Sequence, residues 1–156
     1  MKAVRFTAVG FALSLGTFMS APAWAAEYNA VMSSDIKWVD APSIGPGAKT
    51  AVIDGDPKAS GPFVMRLKVP PKTKIKVHTH PADENVTILS GTLYFAGGDK
   101  FDTKTAKAFT PGSFFSIGQG KPMFAYTMGK EAVIQLHGNG PWGIAYLDPA
   151  DAPAQK

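Results

Sequence analysis

The chain has no cysteine and only three histidines in 156 residues. Without cysteine it cannot be a disulfide scaffold, a cysteine-ligated iron–sulfur protein or a thiol enzyme. Charge is sparse: Asp, Glu, Lys and Arg make up 18%, below the ~25% of an average soluble domain. A charge-rich disordered chain and a coiled coil are thereby excluded, and no Gly-X-Y repeat suggests collagen. Long apolar runs are missing too. The run Phe6–Met19 is 14 residues, short of the ~20 that span a bilayer. No helical periodicity of useful length follows Ala26.

What is present begins with an address. Lys2 and Arg5 precede the apolar run, and Ala21-Pro-Ala-Trp-Ala25 supplies small residues at Ala23 and Ala25. This pattern predicts a secretory signal peptide over residues 1–25, cleaved after Ala25. The mature protein is then expected in the periplasm, with no membrane segment left. Cleavage removes two positive charges from the formal +4 and leaves 131 residues. The remaining excess is too weak, and too unclustered, for nucleic acid as a partner.

Pro and Gly punctuate residues 26–148, and short β-rich runs fill the gaps. Strands are predicted at Lys37–Val39, Lys49–Asp54, Phe63–Val69, Lys74–His78, Glu84–Ser90, Thr92–Ala96, Ala108–Thr110, Phe114–Ile117, Met123–Thr127, Ala132–His137 and Gly143–Leu147. Many short strands joined by turn signals indicate one all-β domain, a sandwich or barrel. Residues 149–156 are expected to be a loose tail or to lie along the surface.

The stretch with chemistry is His78-Thr-His80-Pro-Ala-Asp-Glu84-Asn-Val-Thr-Ile-Leu-Ser-Gly91. Side chains two apart on a strand share a face, so His78 and His80 can hold one ion between them. Pro81-Ala82-Asp83 turns the chain, and Glu84 opens the returning strand on the face of Val86 and Ile88. Two imidazoles and one carboxylate suit Fe(II), and Mn, Ni, Co or Zn are also accepted. Lys72, Lys74 and Lys76 alternate in phase with these histidines. A row of buried unpaired ammonium groups is too costly. A bend or bulge near Ile75–Val77 is therefore predicted, turning Lys72 and Lys74 outward. Lys76 either stays near the mouth, where it could attract an anionic substrate, or is solvated, the commoner role for a lysine. Tyr126, Trp142 and Phe124 could line a pocket, although barrel packing is the commoner role.

The pattern His-x-His-x3-Glu-x6-Gly resembles the first motif of the cupin superfamily, matched in full by His78, His80, Glu84 and Gly91. The glycine usual six residues before the first histidine is Lys72. The second motif, Pro-x-Gly-x2-His-x3-Asn, is degraded: Gly118, Gly120, Met123 and Thr127 stand at its four positions and only Gly120 fits. The resemblance covers about residues 60–140. Val133–Pro149 is similar to the ending of small exported bacterial single-domain cupins. The resemblance implies a jelly-roll β-barrel over 26–148 that binds a divalent transition metal (Fe, Mn, Ni, Zn or Cu) through His78, His80 and Glu84.

Most metal cupins add a third histidine, and here Met123 takes that place. Four readings stand open. Met123 is core and water completes the shell; His137 replaces the ligand; Met123 binds through sulfur, which favours copper; or the metal has been lost. If His137 is not a ligand, it is the candidate catalytic proton-transfer residue. The expected function is a metal-dependent enzyme on a small-molecule substrate, of oxygenase (for example dioxygenase), lyase or isomerase type. The alternatives are a non-catalytic periplasmic protein binding copper or a small ligand, and a scaffold with a vestigial site. Jelly-roll edges and the segment Tyr28–Asp40 point to a homodimer.

Overall fold

The computed structural model describes residues 28–154; the signal peptide expected at 1–25 lies outside them. Among the described residues eleven strands form: β1 Val39–Asp40, β2 Lys49–Gly55, β3 Gly61–Val69, β4 Lys74–Thr79, β5 Glu84–Ser90, β6 Leu93–Gly97, β7 Lys107–Phe109, β8 Phe114–Ile117, β9 Met123–Tyr126, β10 Ala132–Gly140 and β11 Ala145–Tyr146. Each lies where the sequence places a strand, with ends shifted by up to three residues. They pair antiparallel into two sheets, ordered β1-β2-β3-β10-β5-β8 and β11-β4-β9-β6-β7. Among the described residues no ladder joins the sheets, so the jelly roll is a two-sheet sandwich rather than a hydrogen-bonded ring.

Alternation on the strands builds the core. Phe63, Met65, Leu67 and Val69 of β3 are buried, with half-buried Val64, Arg66 and Lys68 between them. Across the ladder Leu67 faces Ile134 and Met65 faces Leu136. The next ladder sets Ile134 opposite Ile88 and Leu136 opposite Val86. This continuous apolar row fixes register, because a one-residue slip would turn it to solvent.

Strand β4 has the predicted irregularity. Its register against β9 shifts between Ile75 and His78. Ile75 and Val77 are buried, and so is His78 immediately after, so the side-chain phase changes there. The bulge leaves Lys74 exposed and Lys76 half-buried. Lys76 does not reach the mouth of the cavity described below. Its Nζ lies 3.6 Å from Asp151 and 5.2 Å from the centre of the Phe101 ring, on the outer side of the sheet. Asp151 belongs to a 3-10 turn, Pro149–Asp151, capped by the Asp148 side chain. This part of the tail therefore lies along the surface and is not loose.

Two residues at departures from the cupin motifs do structural work. Lys72 has φ 60°, a left-handed conformation that costs a side chain about 1–2 kcal/mol and glycine little. Lys72→Gly should therefore raise unfolding free energy by about 0.5–1 kcal/mol in urea denaturation, part of the strain relief being offset by a freer unfolded chain. Thr127 is buried; its hydroxyl accepts from the Thr73 N–H at 3.1 Å and donates to the Pro70 carbonyl. It ties the end of β9 to the β3–β4 turn.

Candidate metal centre

The bulge and the Pro81–Asp83 turn bring His78, His80 and Glu84 to one place. All three are buried and line one cavity, with Met123, Trp142 and Ile44 among its other walls. Met123 stands opposite His78 in the β4–β9 ladder and is 2% exposed. The turn is held from outside: Asp83 Oδ1 accepts the Gln119 N–H at 2.7 Å, and the His80 carbonyl accepts the Gly120 N–H at 2.9 Å.

Hydrogen bonds set the tautomer of both rings. His78 Nδ1 faces the Lys76 carbonyl at 2.6 Å, and His80 Nδ1 faces the Gly143 carbonyl. A carbonyl can only accept, so each Nδ1 carries the proton and each neutral ring keeps its Nε2 lone pair. Carbonyl partners of this kind orient metal-binding histidines. Trp142 stacks on His80, ring centres 4.7 Å apart and planes 19° apart.

Burial keeps the cluster neutral. Desolvation lowers the pKa of His78 and takes His80 down to about 4, against opposing backbone hydrogen bonds. Desolvation also pushes Glu84 up to about 8. His80 Nε2 and Glu84 Oε1 are 3.5 Å apart. That distance meets a geometric criterion for an ion pair. With an uncharged imidazole and a protonated carboxyl, it is instead a contact between neutral groups, long for a hydrogen bond.

The donor set fits a divalent ion chemically: two unprotonated imidazole nitrogens, a buried carboxyl and a thioether. Two donors each ~2.1 Å from one ion lie roughly 3.0–3.4 Å apart, close to the separation of His80 and Glu84. Among the described residues, no three His, Asp or Glu side chains are yet gathered closely enough to hold an ion. The set closes only by side-chain movement.

His137 requires a correction. It sits on β10 beside inward Leu136, and alternation turns it outward, where it is exposed and stacks near Phe114. It lines no part of the cavity, so neither the ligand nor the proton-transfer role stands. Phe124 and Tyr126 also face away, packing with Val77 and Ala96 under Phe101 on the outer side of their sheet. Of the three aromatic candidates only Trp142 lines the cavity. Sequence reading missed the Gly143 carbonyl as the partner of His80. Gly140-Pro-Trp-Gly143 signals an irregular segment, but nothing in it names a histidine 63 residues away.

Two facing antiparallel sheets in this strand order, with the His-x-His strand and its returning Glu on the inner side, form the cupin fold. Solved structures agree. An RmlC-like cupin from Ralstonia eutropha superposes with TM-score 0.63 at 15% identity, covering 83% of this chain and 78% of that one. The polyketide cyclase RemF from Streptomyces resistomycificus gives 0.62 at 17% identity, covering 79% and 89%. The DMSP lyase DddQ from Ruegeria pomeroyi gives 0.60 at 16%, covering 74% of this chain and 63% of that one. At these identities the likeness establishes the fold, which in the latter two proteins carries a cyclase and a lyase. No protein-family model and no curated protein matches the chain.

Proposed function

We propose that the protein is an exported metal-binding cupin that acts on a small molecule, with the ion on His78, His80 and Glu84. The observation that carries this reading is the pair of carbonyl-oriented imidazoles sharing a buried cavity with Glu84, a carboxyl with no Lys or Arg partner among the described residues. Burying three ionisable groups against an apolar wall costs stability unless something repays it. A bound divalent ion (Fe, Mn, Ni, Zn or Cu) would repay it and would polarise an oxygen of the substrate. The histidines offer Nε2, Glu84 gives up its proton to become a ligand, and the surrounding apolar side chains restrict water. The cyclase and lyase of the same fold support chemistry on a small molecule as one use of such a cavity, but fold alone does not choose a reaction.

A second reading is favoured by Met123. Its thioether is buried in the cavity wall opposite His78, and two imidazoles with a soft sulfur suit copper. In this reading the protein binds copper without turning over a substrate.

Elemental analysis of untagged protein purified from the periplasm, beside His78→Ala, tests both. About one equivalent of Fe, Mn, Ni or Zn in the parent and none in the variant is expected. Copper that is lost in Met123→Leu selects the second reading. A parent that stays metal-free after reconstitution overturns both.

A further inference from the structure

The cavity holding His78, His80 and Glu84 has only about 30 Å³ of free space, enough for roughly two water molecules. Sites for organic molecules usually offer roughly 300–1,000 Å³. A wall sets the limit. Ile44, Leu67, Trp142 and Ile144 line this cavity on one side and an open groove of about 470 Å³ on the other. These four side chains separate the candidate ligands from the nearest space that could hold an organic body.

The wall is fastened in both of its halves. Ile44 is buried in the turn 41–48, where its N–H donates to the Ala41 carbonyl at 3.0 Å and the Ala41 N–H donates to the Ala48 carbonyl at 2.9 Å. The other half is the segment 142–147. The Trp142 backbone N–H donates to the Pro57 carbonyl at 2.6 Å, and the Leu147 N–H donates to the Val77 carbonyl at 3.0 Å. Between them the Gly143 carbonyl accepts from His80 Nδ1. The Tyr146 hydroxyl ties the halves together by donating to the Ser43 carbonyl at 2.7 Å. Opening the wall would break several of these bonds at once, including the one that sets the His80 tautomer. It is a fixed part of the centre and not a lid.

Charge narrows the ligand further. With both imidazoles neutral, a divalent ion on His78, His80 and an ionised Glu84 carries one net positive charge. No other charged side chain lines the cavity among the described residues. A net charge among apolar side chains is costly, and one monoanion on the ion cancels it.

We propose that the centre takes a monoanion of about three heavy atoms, the size of formate, and that Ile44, Trp142 and Ile144 exclude larger anions. The proposal deepens the metal-centre reading and rests on it. An ion fills about one of the two water-sized positions, and the ligand has only the other.

The test loads the protein purified from the periplasm with cobalt(II), measures the bound cobalt, and titrates formate and benzoate against its visible bands. The two probes share one donor group and differ in bulk. Formate should shift the bands at millimolar concentration, and benzoate should bind at least about tenfold more weakly. Ile44→Ala takes side-chain volume out of the wall and should bring benzoate to within about threefold of formate, with cobalt content unchanged. Ile144→Ala, at a half-buried position, should act in the same direction and serves where Ile44→Ala does not fold. Met65→Ala is the control, a buried side chain that lines the groove and not the cavity; it should keep the discrimination of the parent. Benzoate that binds the cobalt-loaded parent as well as formate does overturns the size filter and leaves the metal centre standing. Cobalt bands that formate does not move overturn the choice of anion. Benzoate that stays excluded from both isoleucine variants, or that enters Met65→Ala equally well, overturns the assignment to the wall. A parent that takes up neither cobalt nor any other first-row ion overturns the metal reading and the filter with it.

Discussion

Metal-free protein should lose stability as the pH is raised from about 6.5 to 8, by about 1 kcal/mol per pH unit, and Glu84→Gln should remove that loss. The sign follows from burial. In the folded chain desolvation raises the Glu84 pKa to about 8, from an ordinary value of 4.5. A carboxyl whose pKa is raised by folding contributes its full stability below the unfolded value, and that contribution is lost as pH climbs through the folded one. The histidines act in the opposite sense. His80 falls to about 4 from 6.5, and His78 is lowered as well. Their contribution is complete above 6.5 and is lost as pH falls toward 4. Above pH 6.5 the Glu84 slope is therefore left uncovered, while below it the two effects oppose each other. Urea denaturation across this range with chelator present measures the slope. Glu84→Gln keeps the shape of the side chain without an ionisable proton, so its curve should be flat above pH 6.5. A parent slope that survives in Glu84→Gln would show that Glu84 is not its source.

The same proton links stability to the ion. At neutral pH Glu84 is mostly protonated, so an ion that takes it as a ligand must displace about one proton per site. Metal affinity should rise with pH until Glu84 is ionised near 8, and saturating metal should flatten the stability curve of the parent. Glu84→Gln should bind metal more weakly at every pH, because an amide oxygen replaces a carboxylate.

Strand positions were legible because the punctuation is local. Ser90-Gly91, Gly97-Gly98 and Pro111-Gly112 fall at breaks, and Phe63–Val69 alternates strictly enough to give its face as well. The bulge in β4 was legible for an energetic reason, since a regular strand would have buried three lysines beside two histidines. The His78, His80 and Glu84 cluster was legible because one turn joins its two strands. Long-range facts were not. Both faces of β10 carry plausible side chains, so only pairing with β3 and β5 decides that Ile134 and Leu136 point in and His137 out. Met123 and His78 are cross-strand neighbours 45 residues apart, visible only once β4 and β9 pair. The stacking of Trp142 on His80 depends on an irregular segment whose path no periodicity encodes.

Gly91→Ala should destabilise the protein by at least about 3 kcal/mol, although Gly91 touches no candidate ligand. It closes the first cupin motif, and its place explains why a motif read for its histidines ends in glycine. The residue has φ 74° in the turn between β5 and β6. A Cβ there would lie 2.0 Å from the Glu131 carbonyl oxygen and 2.8 Å from the Ala132 Cα. Those atoms belong to the backbone entering β10, so no rotamer can relieve the clash. Relief would require moving the turn away from the start of β10, where Ala132 and Ile134 are buried. The ladder of β10 with β5 already shifts register there, between Val133 and Ile134, and has little further tolerance. Gly120→Ala is the control. Its φ is 68°, and nothing lies within 4 Å of an added Cβ, so it should cost only the left-handed penalty of about 1–2 kcal/mol. Chemical denaturation of the two variants side by side separates conformational strain from steric conflict. Equal losses would mean that the β5–β6 turn can move off β10, and that strain alone keeps the motif's glycine.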